Sequence, residues 1–105
     1  MNEEAAEPAV IDIPDQGRFV VELEGHTAEL VYRAEPGRLI LVHTGVPSEL
    51  EGRGIGSMLV RASVARAAAQ GLTVVPWCPF AREWLRAHPD VADGVTIDWT
   101  SPDLP

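Results

Sequence analysis

The 105-residue chain has no lysine, a single cysteine (Cys78) and no long apolar run. Each absence excludes a class of protein. Without lysine there is no Walker A loop, whose lysine reaches the phosphates of a bound nucleotide. One cysteine cannot build an internal disulfide framework. The longest apolar run, Leu39 to Val42, falls far short of the roughly 18 residues that suggest a membrane span. The first residues, MNEEAAEP, lack the apolar stretch of a signal peptide. Three scattered histidines and one cysteine show no metal-ligand spacing, so no metal is expected. No dense basic face marks a nucleic-acid footprint. At this length there is room for one core. The expectation is a soluble, cytoplasmic domain over residues 9–99, with an acidic disordered tail at 1–8 and a short tail at 100–105. It would be a monomer or weak dimer with no nucleic-acid or membrane partner.

What charge there is lies unevenly. The net charge is −8, but residues 1–15 hold five acids and no base, and four more acids follow Arg86. The stretch between is nearly balanced, so the acidity belongs to the ends and serves solubility.

Alternation identifies the strands. Val10, Ile11 and Ile13 suit a short first strand, ended by Pro14 and Gly17. Phe19, Val21 and Leu23 alternate with Arg18, Glu22 and Glu24, and Ala28, Leu30 and Tyr32 repeat the pattern. Gly25–His26 and Pro36–Gly37 are the expected turns. Leu39-Ile40-Leu41-Val42 is apolar on both faces, so a central strand covered on both sides is expected, running through His43-Thr44-Gly45-Val46 to Pro47. A helix follows from about Gly54 to Gln70, with Gly71 just beyond its end. Its apolar residues form no single stripe, which predicts cover on more than one side. Leu72–Val75 is a further strand, paired parallel to the previous one by the crossover. Pro79 opens a short helix, with Phe80, Ala81, Trp84 and Leu85 as its apolar face. Val95–Trp99 is either an edge strand or an anchored loop. The fold class is α+β, an antiparallel meander feeding a β-α-β unit.

Between the central strand and the long helix lies Glu51-Gly52-Arg53-Gly54-Ile55-Gly56. Three glycines allow the backbone to approach a ligand and turn its N–H groups inward. The helix dipole favours an anion there, and Arg53, Arg61 and Arg66 add positive charge with no acid between Arg53 and Arg66. A dinucleotide fingerprint fails, because Leu59 stands where the third small residue must be. The pattern [Gln/Arg/Glu]-x-x-Gly-x-[Gly/Ala] fits, and resembles the acetyl-coenzyme A pyrophosphate loop of the GNAT N-acetyltransferase superfamily. His43-Thr44-Gly45-Val46-Pro47, Val75-Pro76-Trp77-Cys78 and His88-Pro89 extend the likeness to its small, single-domain "YjdJ-like" branch, over roughly residues 17–93.

The resemblance implies a minimal GNAT-like fold, with a splayed mixed sheet, flanking helices and acetyl-coenzyme A as cosubstrate. The cofactor-binding residues would be Thr44, Gly45, Val46, Glu51, Gly52, Arg53, Gly54, Ile55, Gly56 and Ser57, with backbone near Thr44–Val46 polarising the thioester carbonyl. Glu51 departs from the usual Gln or Arg and sets a carboxylate near a pyrophosphate. The implied activity is acetyl transfer to a primary amine, on a small molecule or a protein tail. The alternative is a non-catalytic coenzyme A-binding or interaction module that has kept the fold. Cys78 and His43 are the catalytic candidates. Cys78 precedes a helix, whose dipole would favour the thiolate; a small buried hydrophobe is the other possibility. His43 would be a general base or a hydrogen-bond anchor. His88 suits a helix C-terminal cap.

Overall fold

The computed structural model describes residues 8–100. Apart from Pro8 and Thr100, the two expected tails lie outside that span. Five strands form one sheet in sequence order: β1 (Ile11–Ile13), β2 (Arg18–Leu23), β3 (His26–Glu35), β4 (Arg38–Gly45) and β5 (Thr73–Pro76). The first four pair antiparallel, and β5 joins β4 parallel through helix α1 (Ile55–Gln70). Two shorter helices follow, α2 (Pro79–Ala87) and α3 (Pro89–Ala92). Residues 95–99 make only an isolated bridge, Ile97 to Val74, with the Arg82 and Arg86 guanidiniums 5.9 and 5.2 Å from the centre of the Trp99 ring. Among the described residues no helix is long and apolar enough to cross a membrane.

One core lies between the sheet and the helices. Phe19, Val21, Leu30, Leu39, Leu41 and Val74 meet Leu59, Val60, Val64, Trp84 and Leu85 there. Helix α1 buries Ile55, Leu59, Val60, Ser63, Val64 and Ala67 and exposes Arg61, Ala65, Ala68 and Ala69. It is therefore covered on one side, against expectation: alanines marked both faces, and a single methyl says little about which is buried. Gly71 ends the helix in the left-handed conformation, as a C′ glycine should. Asp12 ties the edge strand to this helix. It accepts a hydrogen bond from the Tyr32 hydroxyl (2.5 Å) and one from Arg66 Nη1 (3.0 Å), which also donates to Tyr32 (2.7 Å). Burial, and next the Asp12 carboxylate, push the phenol above its ordinary range.

The second face of the sheet is covered by side chains rather than by helices. Val20, Ile40 and Val75 are buried there, outside the helix-side core. The Arg18–Glu29 pair (3.0 Å) lies beside Val20, and Arg33 reaches the Trp77 ring (5.6 Å) past its cross-strand partner Ile40. The aliphatic stems of long charged residues do the covering. The expected cover on both sides of β4 is thus supplied by helices on one side and by long charged side chains on the other.

The β2–β3 turn falls one residue earlier than expected, at Glu24–Gly25, both at positive φ (55° and 80°) as a type I′ hairpin requires. Arg53 binds the Glu24 carboxylate through both terminal nitrogens (2.8 and 3.1 Å), and this hydrogen bond and charge hold Glu24 below its ordinary value of 4.5. A depressed carboxyl pKa contributes stability above the unfolded value and loses it as pH falls through the folded one. Glu24→Gln is accordingly expected to lower the melting temperature slightly at neutral pH. The difference from the parent should vanish in acid, as thermal melts across pH will show.

Candidate active site

Strand β4 builds the site because it outruns its neighbour. Its register with β5 ends at Leu41–Pro76, and the Cys78 N–H closes the junction on the Leu41 carbonyl (2.8 Å). Beyond that point β4 continues through Val42, His43, Thr44 and Gly45 while the other chain turns into α2. The two strands part, leaving a gap at the C-terminal ends where α/β ligand sites open.

A bulge sets which side chains enter the gap. Tyr32 pairs with Leu41 but Val31 pairs with His43, so Val42 is the extra residue. Strict alternation would put His43 on the helix face with Leu39 and Leu41. The bulge reverses this: Thr44, paired with Leu30, faces the helices, and His43, paired with Val31, faces away.

Next to the gap the chain makes a short 3-10 turn (Ser48–Leu50), the glycine loop, and the start of α1. Gly52 and Gly54 both have positive φ (82° and 76°), which explains glycine at each. The first helical bond runs from Met58 N–H to the Gly54 carbonyl (3.1 Å). The N–H groups of Ile55, Gly56 and Ser57 precede it. Among the described residues they have no acceptor, and no side chain caps the helix. These donors open on a cleft of about 460 Å³ lined by Thr44, Val46, Leu50, Glu51, Gly52, Gly54, Ile55, Gly56, Ser57 and Phe80. Backbone N–H groups and the positive helix end are the attraction for an anion here.

Eight of the ten residues expected to bind the cofactor thus line one cleft. Gly45 does not; it lines a second depression of about 430 Å³ on the other face, with Arg18, Thr27, Glu29, Val46 and Pro47. Arg53 does not either, being drawn to Glu24 on the hairpin. Nor do the other two arginines of this stretch line the cleft: Arg66 pairs with Asp12, and Arg61 lies over the Trp84 ring (5.1 Å). Glu51 is the one charged residue in the lining. Cys78 sits at the N-cap of α2, buried at 2% exposure behind Thr44, with Sγ 3.3 Å from the Thr44 hydroxyl. His43 is exposed on the far face, its Nε2 3.3 Å from where a side chain at Gly45 would begin. His88 does cap α2, with Nδ1 2.8 Å from the Trp84 carbonyl.

Two lining residues escaped the sequence. Leu50 is an ordinary core leucine until the 3-10 turn brings it to the cleft. Phe80, read as part of an apolar helix face, is 43% exposed and packs on Gly56. A β-carbon on Gly56 would lie 2.7 Å from the tip of the Phe80 ring, so any side chain there has to push that half-exposed ring aside. The signal was available: Phe80 is an aromatic four residues past the end of a buried strand.

Residues 18–94 match the family model of the GCN5-related N-acetyltransferases. The chain belongs to that family. Its fold is also similar to that of a GCN5-like candidate N-acetyltransferase from Staphylococcus aureus, solved in solution by NMR. The two are 25% identical, with a TM-score of 0.66 over 91% of this chain and 96% of that one.

Proposed function

We propose that this protein transfers an acetyl group from acetyl-coenzyme A to a primary amine. The observation that carries the reading is the uncapped N-terminus of α1, entered through Gly52 and Gly54 and opening into the cleft beside the parted β4 and β5. A pyrophosphate suits such a cradle of backbone donors, and the apolar Val46, Leu50, Ile55 and Phe80 suit the uncharged arm that follows it. Glu51 weakens the local field, which leaves the binding to the backbone.

In the reaction the amine nitrogen bonds to the carbonyl carbon, the carbon–sulfur bond breaks with its electron pair leaving on sulfur as the coenzyme A thiolate, and the amine gives up a proton. We assign that proton to His43 and the acceptor to the second face, where Gly45 leaves a notch between the His43 imidazole and Glu29. Val46 borders both depressions, so the two substrates can meet at the end of β4. Backbone at Thr44–Val46 would polarise the carbonyl. The burial of Cys78 favours direct attack by the amine over an acetyl-cysteine intermediate; its thiol holds Thr44 in place.

The test is release of free coenzyme A from acetyl-coenzyme A over a panel of primary amines. Amine-dependent release supports the transferase, and binding without release leaves a non-catalytic module. Cys78→Ser is expected to keep kcat within about threefold, because no bond to sulfur forms, whereas loss of a nucleophile costs several powers of ten. Intact mass after mixing with acetyl-coenzyme A should show no acetyl adduct.

A further inference from the structure

Helix α1 carries two serines that use their hydroxyls differently. Ser63, fully buried, donates back to the Leu59 carbonyl (3.0 Å), the ordinary resting place for a serine inside a helix. Ser57 instead receives a hydrogen bond from the Trp84 indole N–H (2.7 Å). An indole nitrogen only donates, so Ser57 Oγ is the acceptor in that bond and its own proton is directed elsewhere. Among the described residues nothing accepts it. Ser57 lines the cleft, next to the free N–H groups of the helix start.

The indole has little freedom. Trp84 is 6% exposed, stacks on the His88 ring (3.8 Å between centroids, 11° between planes) and is faced by the Arg61 guanidinium. His88 is fixed in turn, since the Trp84 carbonyl can only accept and Nδ1 must therefore carry a hydrogen. Arg61, Trp84 and His88 together hold one N–H against one hydroxyl.

We propose that Trp84 is a positioning residue that makes Ser57 a hydroxyl donor to the phosphates of coenzyme A, a role that rests on the acetyl-coenzyme A reading above. The helix start then offers a side-chain donor beside its backbone N–H groups, in a cleft whose one charged side chain is an acid. The ligand chemistry is a pyrophosphate oxygen, which accepts and cannot donate.

Calorimetric titration of acetyl-coenzyme A into the full chain tests this with Ser57→Ala, Trp84→Phe, the double variant and Ser57→Thr. A hydrogen bond to a charged acceptor is worth about tenfold or more in affinity. Ser57→Ala and Trp84→Phe should each weaken binding by about tenfold, and the double variant by no more than Ser57→Ala alone. Ser57→Thr, which keeps the hydroxyl, should bind within about threefold of the parent. Phenylalanine keeps the stack on His88, and circular dichroism will show whether each variant is folded. In the free protein the Trp84 indole proton resonance should shift in Ser57→Ala, a readout that needs no ligand. Parental binding by folded Trp84→Phe, or a double variant weakened by the product of the two single effects, overturns the proposal alone. Failure of the parent to bind acetyl-coenzyme A overturns it together with the reading on which it rests.

Discussion

Gly54→Val is expected to weaken acetyl-coenzyme A binding by at least about a hundredfold, or to abolish it. Gly54 has φ of 76°, a conformation that L-residues avoid at a cost of about 1–2 kcal/mol and that a β-branched side chain resists most. Valine will therefore move the backbone toward negative φ and turn the first N–H groups of α1 out of register. Whatever backbone is kept, the added methyl groups have open space rather than protein before them. Gly54 is among the lining residues, so a side chain added there can compete with the ligand for space. A hundredfold loss corresponds to about 2.7 kcal/mol, near the worth of two hydrogen bonds to a charged group at the lower end of their range. Gly54→Asn separates the two causes. Asparagine tolerates the left-handed region, so binding retained in part by Gly54→Asn would identify backbone strain as the larger effect. Calorimetry on both variants, with circular dichroism to confirm the fold, decides it. Valine binding as tightly as glycine would mean that the loop is not the cradle.

Leu59→Ala is expected to destabilise the protein by about 2–5 kcal/mol, the range for a leucine truncated in a close-packed core. Leu59 is fully buried, one turn into α1, in the cluster that joins the helix to the sheet. Against a total of about 5–15 kcal/mol for a domain of this kind, the loss is a large fraction. Urea denaturation should show a lower midpoint with an unchanged slope, because the surface exposed on unfolding stays the same. The helix start that lines the cleft is held by this contact and by Ile55. Apparent affinity for acetyl-coenzyme A should therefore fall only where the variant is partly unfolded. A destabilisation below about 1 kcal/mol would contradict the packing described here.

The meander, the parallel crossover and the helix ending at Gly71 were all legible in the sequence, because turn residues and period-2 alternation act locally. The glycine loop was legible for the same reason: its conformation needs glycine, and glycine is visible. What escaped depends on contacts between distant segments. Arg53 reads as a phosphate ligand beside three glycines until Glu24, 29 residues earlier, is brought within 2.8 Å by the hairpin. His43 and Thr44 exchange faces because of one extra residue at Val42, and a bulge leaves no mark in an apolar run. The bond from Trp84 to Ser57 joins two helices across 27 residues of chain, so no periodicity reports it. Alanine misled the reading of α1, since small side chains fit either face. Motif and turn chemistry therefore pointed to the cleft now proposed as the site, while the orientation of its side chains required the fold.

Calorimetric titration of acetyl-coenzyme A into the full chain, at low and at physiological salt, tests the central claim most directly. Saturable one-to-one binding is expected. Its salt dependence should be modest, because the cleft offers backbone donors and a hydroxyl rather than arginine side chains. No detectable heat together with no thermal shift would contradict the account, and the glycine-rich segment would then be only a turn between β4 and α1.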